Sequence, residues 1–363
     1  MNSKLKGYFP MIRSREEVLT DIYGRKPLLE EYQKWEEKYQ EEFLDFVTGV
    51  RGVKMLYDCF FKEILNPETI PERLNELLSL LLGKEVKILE VLPVDNSRLA
   101  DESALVIMDI VVKLEDGSIV NVEVQKIGYA FPGERAACYS SDLLLRQYKT
   151  IRSSRQKIFS YRDIKTVYTI VFLEKSSQVF HKFPGEYLHH SEQKFQTGIK
   201  LNLLQEYLFI PLDIFQKNMH NKGIQNKLDA WLAFLSSDRP EDIISVIEKY
   251  PEFRAMYEHV YEICRNIEGV MGMFSEELRE LDRNTVHLMI DEMQDEIAAQ
   301  KKILEENEKV LKEQEKAIEE QSKAIEEQSR AIEEKDKELQ NKDKTISELR
   351  EMLKTVQTVE RNL

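Results

Sequence analysis

One stretch of the chain has the alternation of apolar and polar positions that two paired β-strands require. Ala104 to Leu114 is almost entirely apolar and β-branched, which is typical of a strand buried on both faces. The turn Glu115-Asp116-Gly117-Ser118 follows and carries the Asp-Gly signal of a hairpin. Polar and valine positions then alternate, which gives the second strand a polar face made of Asn121, Glu123 and Gln125. The stretch therefore predicts a β-hairpin.

Two carboxylates lie within this predicted hairpin. Asp109 interrupts the apolar strand, and Glu123 lies on the polar face of the second. A three-residue loop, with Gly117 in a left-handed bulge, places Asp109 opposite Glu123 with Cβ atoms roughly 5 Å apart. A two-residue loop would instead place Asp109 opposite Val124. Because a buried carboxylate is unfavourable unless it is paired or binds a cation, the longer loop predicts a shared metal site.

The segments around the hairpin predict an α/β core. Arg51 to Leu65 predicts a helix that ends at Asn66-Pro67, and residues 71–82 predict another, with Pro71 near its start and Gly83 after its end. The other predicted elements are a strand at residues 85–92, a helix from Glu134 to about Arg152, a strand at residues 165–173, and a strand followed by a helix within residues 200–215. A helix that connects two strands favours a mixed sheet.

Helical periodicity extends on both sides of this core. Residues 28–47 carry an apolar stripe that we expect to pack on the core, with a role in recognition as the alternative. The stripe consists of Leu29, Tyr32, Trp35, Tyr39 and Phe43. Residues 225–294 predict a mostly helical region without catalytic spacing.

Apolar residues recur every seven positions in the C-terminal part of the chain. They are Ile290, Ile297, Leu304, Leu311, Ile318, Ile325, Ile332, Leu339, Ile346 and Leu353. The second core position of the heptads is polar from Asn307 to Lys342. The pattern predicts a coiled coil that joins copies of the chain into a homo-oligomer, with a solvated single helix as the alternative.

Composition refines the class of protein. The net charge is −14, but residues 291–363 hold 21 acidic and 14 basic residues, so half of the excess lies in the tail and nucleic acid is not excluded as a partner. The cysteines, Cys59, Cys138 and Cys264, lack metal-ligand spacing and fit a reducing compartment. No signal peptide or run of transmembrane length is present, which predicts a cytoplasmic protein without a membrane partner. His189-His190 lies in a polar loop without neighbouring ligands, so a solvated pair is favoured over a metal site.

Asp109, the hairpin and Glu123-Val124-Gln125 together resemble the PD-(D/E)XK nuclease superfamily. In particular they are similar to its recombination-promoting nuclease and transposase branch, in which glutamine replaces the usual lysine. The flanking segments YDCFFKEIL (57–65) and GERAACYSSDLLLRQY (133–148) fit as well. The resemblance covers residues 50–175 and implies a restriction-endonuclease-like mixed sheet flanked by helices. It also implies a metal-dependent DNA endonuclease linked to recombination or transposition.

The resemblance implies roles for individual residues. Asp109, Glu123 and Gln125 would be catalytic, and the two carboxylates with the backbone carbonyl of Val124 would bind Mg²⁺ or Mn²⁺. Gln125 can hydrogen-bond a water or a phosphate oxygen but cannot act as a base near neutral pH.

An acidic residue of the first helix joins the metal site in many members of this fold. In this chain the candidates are Asp58 and Glu63, and the place of Asp58 in YDCFFK favours it. A surface carboxylate is the alternative for either residue.

The helix predicted after the hairpin carries a basic face. Its members, spaced by three and four residues, are Arg135, Tyr139, Asp142, Arg146 and Lys149, and the opposite side carries Ala137, Leu144, Tyr148 and Ile151. Between residues 144 and 165 there are seven basic residues and one acidic residue. Because this patch adjoins the carboxylates, it predicts phosphate contacts through Arg135, Arg146, Lys149 and Arg152, with a merely solvated face as the alternative.

These observations divide the chain into four expected segments. They are a helical lead-in (1–48), a nuclease-like core (49–215), a helical extension (216–289) and a coiled coil (290–356). Two other functions stay open: a nuclease-like module that binds DNA or protein without cleaving, and a scaffold protein in which Asp109 and Glu123 bond buried backbone or basic groups.

Overall fold

The protein is built around a mixed six-stranded sheet. The computed structural model describes residues 3–93, 109–126, 132–155, 159–191 and 193–360. Its strands are β1 (Ile88–Val91), β2 (Ile110–Leu114), β3 (Ile119–Gln125), β4 (Val167–Leu173), β5 (His189–His190) and β6 (Gln205–Pro211). The order is β1-β2-β3-β4-β6-β5, in which β3, β4 and β6 are parallel and the other neighbours are antiparallel. The predicted α/β class with a mixed sheet is confirmed.

Helices cover both faces of this sheet. In the described residues they are α1 (Arg15–Gly24), α2 (Lys26–Lys34), α3 (Glu37–Val47), α4 (Asp58–Ile64), α5 (Pro71–Leu82), α6 (Pro132–Arg155), α7 (Leu212–Lys222), α8 (Lys227–Ser236), α9 (Pro240–Lys249), α10 (Phe253–Cys264) and α11 (Ile267–Glu360). The predicted helix over residues 71–82 is confirmed, since α5 begins at Pro71 and Gly83 ends it with a φ of 64°.

The two faces of β3 meet different layers. The largest apolar core lies on the face of Val120 and Val122, and it includes aromatic residues from segments far apart in the chain, among them Phe43, Trp231 and Phe274. The lead-in and the helical extension therefore share this core with the sheet. On the other face, α6 connects β3 to β4 and packs against both strands.

The helical stripe predicted over residues 28–47 packs on the core, but the chain turns at Trp35 and divides the stripe between two helices. The indole of Trp35 is buried, packs edge-on against Phe274, and donates a hydrogen bond to Ser275 Oγ at 3.0 Å. The amide of Gln40 caps the break by donating to the carbonyls of Tyr32 and Trp35. Burial of the indole therefore separates α2 from α3.

The predicted helix from Arg51 to Leu65 is confirmed only from Asp58 onward. At Gly52 the backbone N–H donates to the carbonyl of Asp238 at 2.6 Å, and a Cβ there would lie 2.3 Å from the side chain of Ile243. The carboxylate of Glu42 then accepts hydrogen bonds from two side chains of this segment, Lys54 and Tyr57. These long-range contacts hold residues 51–57 out of a helix.

The pair His189-His190 forms strand β5 at the edge of the sheet, so the predicted polar loop is wrong. The two residues pair with Phe209 and Leu208 of β6. The ring of His189 is half-buried and lies 5.2 Å from the ring centroid of Phe180. The packing of His189 against aromatic rings makes it a structural residue.

The chain divides into two compact units, Met1–Asp291 and Glu292–Leu363. The second unit is the C-terminal part of α11, which is helical to Glu360. Its heptad side chains are exposed, for example Ile318 at 63% and Ile332 at 60%. The helix is confirmed, while the coiled coil stays a prediction. Within the described ranges, the helices are too short or too polar to cross a membrane.

Candidate active site

The hairpin of β2 and β3 has the predicted three-residue loop. Ile110 pairs with Val122, and Leu114 and Ser118 close the loop by a backbone hydrogen bond of 2.8 Å. Gly117 has a φ of 84°, the left-handed conformation that the bulge requires. Asp109 directly precedes β2, so the same register places it opposite Glu123. Residues 104–108 of the predicted first strand lie outside the described residues.

Asp109 is held by the strand opposite to it. Its Oδ2 accepts a hydrogen bond from the backbone N–H of Val124 at 2.7 Å, and its Oδ1 lies 3.4 Å from Lys62 Nζ. The side chain is only 11% exposed. Burial and the negative charge of Asp58 raise the pKa of Asp109 to about 6, although Lys62 and the Val124 N–H oppose this shift.

The polar face of β3 is buried, and most of its polar atoms have no hydrogen-bond partner among the described residues. Asn121, Glu123 and Gln125 are 0%, 5% and 4% exposed. Among the described residues, Glu123 Oε1 and both amide atoms of Gln125 have no hydrogen-bond partner, while the Asn121 amide lies close enough to Glu123 to act against the rise of its pKa. Burial, followed by the charge of Asp109, raises the pKa of Glu123 well above its ordinary value. A cation or ordered water beside Glu123 would remove this penalty.

This polar face interrupts the apolar contact between α6 and the sheet. Thr169 of β4 pairs with Asn121 and is fully buried, and its hydroxyl also has no partner in the described part of the chain. Apolar clusters flank the polar residues, one around Leu143 and one around Val171. Because buried polar groups are almost always hydrogen-bonded, the gap between the clusters is a place for water or an ion.

Asp58 and Glu63, the two acidic candidates for the metal site, both lie on α4, and only Asp58 is directed toward Asp109. Lys62 Nζ is 3.4 Å from both Asp58 Oδ2 and Asp109 Oδ1, so the two carboxylates share one ammonium group. Glu63 is instead 3.8 Å from the ring of His259. The structure therefore brings Asp58 to Asp109, and Glu63 faces another partner.

The N-terminal part of α6 lies over the polar face of β3. Tyr139 is buried there, and burial raises its pKa to about 12, with a further contribution from the charge of Glu123. Arg135 is exposed, donates to the Tyr139 hydroxyl at 3.0 Å, and acts to lower the pKa of Glu123. Arg135 therefore provides positive charge at the open side of the carboxylates.

The predicted basic face of α6 is partly wrong. The buried stripe consists of Ala136, Tyr139, Ser140, Leu143 and Gln147, so Tyr139 belongs to the packed side. Arg146 is half-buried, bound to Asp142 at 2.7 Å and to the carbonyl of Pro93 at 3.0 Å. Lys149 and Arg152 are exposed, as predicted for residues that could contact phosphates. The face shifted because the helix buries Gln147, whose amide Nε2 donates to the carbonyl of Lys165.

A second group of charges, which sequence reasoning missed, lies directly after Gln125. Lys126 Nζ is 2.8 Å from Asp58 Oδ1 and 2.5 Å from Glu277 Oε1, and the side chains of Lys126 and Glu277 are 7% and 5% exposed. The sequence does show Lys126 next to Gln125, and this position could have indicated a role for the lysine near the site. Glu277 carried no signal, since it lies 151 residues further along the chain.

The described ranges contain no group of three His, Cys, Asp or Glu side chains that could hold a metal ion. The available oxygen donors are the carboxylates of Asp109 and Glu123 and, beyond them, Asp58 and the backbone of Val124. Hard oxygen donors suit Mg²⁺ and Mn²⁺, and Mg²⁺ commonly keeps several waters beside one or two carboxylates. The residues present therefore fit an ion that is also held by water and substrate.

A comparison with protein-family models gives one match. The model described as PD-(D/E)XK nuclease family transposase matches residues 55–286. The match begins just before α4 and extends through the helical region to the first part of α11, so it includes Asp58, the hairpin and Glu277. No curated protein and no solved structure matches the chain significantly.

Proposed function

The chain belongs to the PD-(D/E)XK nuclease family transposases, and from this premise we propose that it is a metal-dependent endonuclease that hydrolyses phosphodiester bonds in DNA. The observation that carries the proposal is the buried polar face of β3. Glu123 Oε1 and the Gln125 amide lack partners among the described residues, and Glu123 lies opposite Asp109. A purely structural site would have satisfied these atoms.

The donor set fits Mg²⁺ or Mn²⁺ held by Asp109, Glu123 and the Val124 carbonyl, with Asp58 as a further ligand. When bound, such an ion polarises the phosphate and favours ionisation of a water. The hydrogen bond from the Val124 N–H fixes the orientation of Asp109. This leaves Asp109 Oδ1 directed toward the shared ammonium group and the site.

Gln125 orients a reactant without accepting its proton. A neutral amide both donates and accepts hydrogen bonds, so it can hold a water or a phosphate oxygen. The nearest buried lysine, Lys126, is engaged by Asp58 and Glu277 and its pKa is raised, although burial alone would lower it. Lys126 is therefore a poor base, and proton removal from the water falls to solvent or to a substrate oxygen.

DNA would approach along α6. Arg135 lies at the carboxylates, and Lys149 and Arg152 are exposed further along the helix. Arg146 contributes from its pair with Asp142. Cations along one helix provide the sequence-independent phosphate contacts on which nucleic-acid affinity depends.

The exposed heptads of α11 support a homo-oligomer. A stripe of isoleucine and leucine side chains 47–63% exposed from Ile297 to Ile346 is more stable when a second copy covers it. Two copies would place two sites in one particle, which suits cleavage of both strands of a duplex. Light scattering should show a dimer for the full chain and a monomer after truncation near Glu280. A monomeric full chain at micromolar concentration would contradict this part of the proposal.

Plasmid cleavage tests the nuclease itself. Supercoiled DNA is incubated with Mg²⁺, with Mn²⁺ or with chelator, and nicking is followed on gels. Asp109→Asn and Glu123→Gln should each reduce the rate more than about 100-fold, since ligand loss exceeds the 10–100-fold typical of supporting residues.

Two variants on one helix provide the matched comparison. Asp58→Asn should reduce the rate about 10- to 100-fold, and Glu63→Gln should leave it within about twofold. If Asp109→Asn and Glu123→Gln cleave as fast as the wild type, the nuclease assignment to this site is wrong. Metal-independent DNA binding without cleavage would instead favour a module that binds without cleaving. The presence of Gln125 in place of lysine supports that alternative.

A further inference from the structure

An exposed group of aromatic rings lies at the C-terminal end of α6. The ring centroids of Tyr148 and Tyr161 are 6.2 Å apart with an interplanar angle of 12°, and Phe159 packs edge-on against both at 5.4 and 5.1 Å. Tyr161 is 72% exposed although Phe159 fixes its ring from the side. We call Tyr148, Phe159 and Tyr161 the aromatic platform. A large ring held in place with its face in solvent is suited to stacking.

Positive charge surrounds the aromatic platform. The guanidinium of Arg152 lies 5.5 Å from the ring centroid of Tyr148 and donates to its hydroxyl. Lys149, Arg162 and Lys165 are exposed nearby in the chain. The cations outnumber the acidic groups of this surface.

The neighbouring carboxylates are engaged by other groups. Asp163 accepts a hydrogen bond from the backbone N–H of Ser160 at 3.2 Å. Asp116 lies 3.2 Å from Lys84 Nζ and accepts from the backbone N–H of Ser118 at 2.8 Å. The net charge of the surface is positive because Lys149, Arg152, Arg162 and Lys165 outnumber these two carboxylates.

An open cleft of about 640 Å³ adjoins the aromatic platform. Its lining includes Tyr161, Arg162, Lys165, Tyr168 and Asn202, together with Asp116, which is paired with Lys84. The cleft thus combines aromatic rings, two cations and an amide that can bond a base edge. This is the set of groups that single-stranded nucleic acids require.

We propose that the aromatic platform and this cleft bind unpaired nucleotides of a DNA strand. A base stacks on Tyr161, and the flanking phosphates lie against Lys149, Arg152 and Arg162. Stacking needs an exposed base face, which duplex DNA does not offer, whereas the cations attract both forms. The inference rests on the proposed function and narrows its substrate to DNA with an unpaired segment.

The length of α6 sets the distance between this surface and the carboxylates. Tyr139 lies over Glu123, and Arg152 lies at the aromatic platform, thirteen residues along the same helix. At about 1.5 Å per residue the separation is roughly 20 Å, which is the length of about six base pairs of duplex DNA at about 3.4 Å each. The unpaired segment would therefore be held about six nucleotides from the cleaved bond.

Binding of labelled oligothymidylate and of a duplex with the same number of phosphates tests the proposal. Fluorescence anisotropy is measured on the full chain in chelator, which prevents cleavage. Tyr161→Ala should weaken oligothymidylate binding about 5- to 100-fold, the range expected for one lost stack, and change duplex binding less than twofold. Tyr161→Phe should restore the affinity, since it keeps the ring. Tyr23→Ala is the matched control, because Tyr23 is 58% exposed and lies on α1.

The cations should behave differently from the ring. Arg162→Gln should weaken binding of both forms and lower the slope of log affinity against log salt by about one, whereas Tyr161→Ala should leave the slope unchanged. Tyr161→Trp provides a direct measurement, since its indole fluorescence should be quenched by oligothymidylate and not by duplex. The native Trp35 and Trp231 are buried and give the constant background.

Equal loss of single-strand and duplex binding in Tyr161→Ala, or no loss in either, would overturn the proposal. So would a wild-type protein that prefers duplex, or an indole at position 161 that oligothymidylate does not quench. Plasmid cleavage that still depends on Asp109 would then leave the nuclease proposal standing. Conversely, if the protein binds single strands through Tyr161 but does not cleave DNA, the proposed binding surface is supported and the proposed nuclease activity is wrong.

Discussion

Gln125 and Lys126 are neighbours in the chain, yet the polar groups around them are in opposite states. Gln125, Glu123 and Asn121 form a buried face whose atoms largely lack partners among the described residues; we call it the open cluster. The buried ammonium group of Lys126 instead forms ion pairs with half-buried Asp58 at 2.8 Å and with buried Glu277 at 2.5 Å, and we call these three residues the paired cluster. Both lie at the end of β3, so burial alone does not distinguish them.

We interpret this difference as one between a structural role and the functional role proposed for the open cluster. In the paired cluster each charge has an opposite charge in contact, which offsets the cost of burying it and joins α4 and α11 to the end of β3. In the open cluster the described residues supply no hydrogen-bond partner for most of these atoms, and a cation or water would satisfy them. Natural proteins keep such unsatisfied groups chiefly where they bind or react.

Helix α4 joins the two clusters. Asp58 contacts Lys126 of the paired cluster and Lys62, whose ammonium group also lies 3.4 Å from Asp109. Burial alone would raise the pKa of Asp58, but Lys126 and Lys62 lower it below its ordinary value. Asp58 is therefore ionised at neutral pH, and its charge contributes to the raised pKa of Asp109.

Removal of the central cation should have the largest effect on stability. Lys126→Met keeps most of the side-chain volume but removes the cation shared by the buried carboxylate of Glu277 and the half-buried carboxylate of Asp58. We expect the free energy of unfolding to fall by about 3–5 kcal/mol, the range for breaking a buried pair from one side. Urea unfolding followed by the fluorescence of the buried Trp35 and Trp231 measures it.

The control is Lys149→Met, which changes an exposed lysine and should stay within about 0.5 kcal/mol of the wild type. Adding Glu277→Gln to Lys126→Met should recover part of the loss, since it removes one of the uncompensated charges. A loss below about 1 kcal/mol for Lys126→Met would mean that the paired cluster contributes no more to stability than ordinary surface ion pairs. The two clusters would then not differ as we infer.

The sequence predicted the parts of this region that depend on local rules. The Asp-Gly turn and strict alternation predicted the loop length, and with it the register that places Asp109 opposite Glu123. Pro71 and Gly83 likewise predicted the ends of α5. Each of these signals lies within the element that it specifies.

Long-range contacts decided what the sequence could not predict. Glu277 meets Lys126 across 151 residues, and Trp35 ends α2 because Ser275 accepts its N–H. Asn121 was predicted to lie on the polar face of its strand, but alternation does not tell whether that face meets solvent or α6. The partly wrong basic face of α6 has the same cause, since the sheet selects which stripe of the helix is buried.

Removal of one acid from the open cluster should change how stability depends on pH. Folding raises the pKa of Asp109 from 3.8 to about 6, and that of Glu123 also rises. Groups whose pKa rises on folding stabilise at low pH, and this stabilisation is lost as pH rises through the folded pKa. Without metal, the contribution of these two groups to the free energy of unfolding should therefore fall between about pH 4 and 7, by on the order of 2–3 kcal/mol for Asp109 alone.

Glu123→Gln should flatten this profile, because it removes one raised carboxyl and relieves the repulsion that raises the pKa of Asp109. At pH 7 the variant should be more stable than the metal-free wild type by about 1–2 kcal/mol. Added Mn²⁺ should raise the melting temperature of the wild type but not that of the variant. A variant with the wild-type pH profile would mean that Glu123 has a partner in the folded protein, and the cluster would no longer be open.

The smallest effect on stability is expected at two buried threonine hydroxyls, one of which is hydrogen-bonded while the other is not, within the part of the chain that the structure describes. Thr169 and Thr48 are both buried threonines, but Thr48 Oγ1 donates to the carbonyl of Leu44 at 2.6 Å, and the Thr169 hydroxyl has no partner in the described residues. Replacement by valine keeps the shape and removes the hydroxyl. Thr48→Val should lose about 1 kcal/mol, whereas Thr169→Val should be neutral or gain up to about 1 kcal/mol. Urea unfolding of the two variants under one condition tests this, and a loss at Thr169 as large as at Thr48 would show that internal water or another group already bonds the Thr169 hydroxyl beside the open cluster.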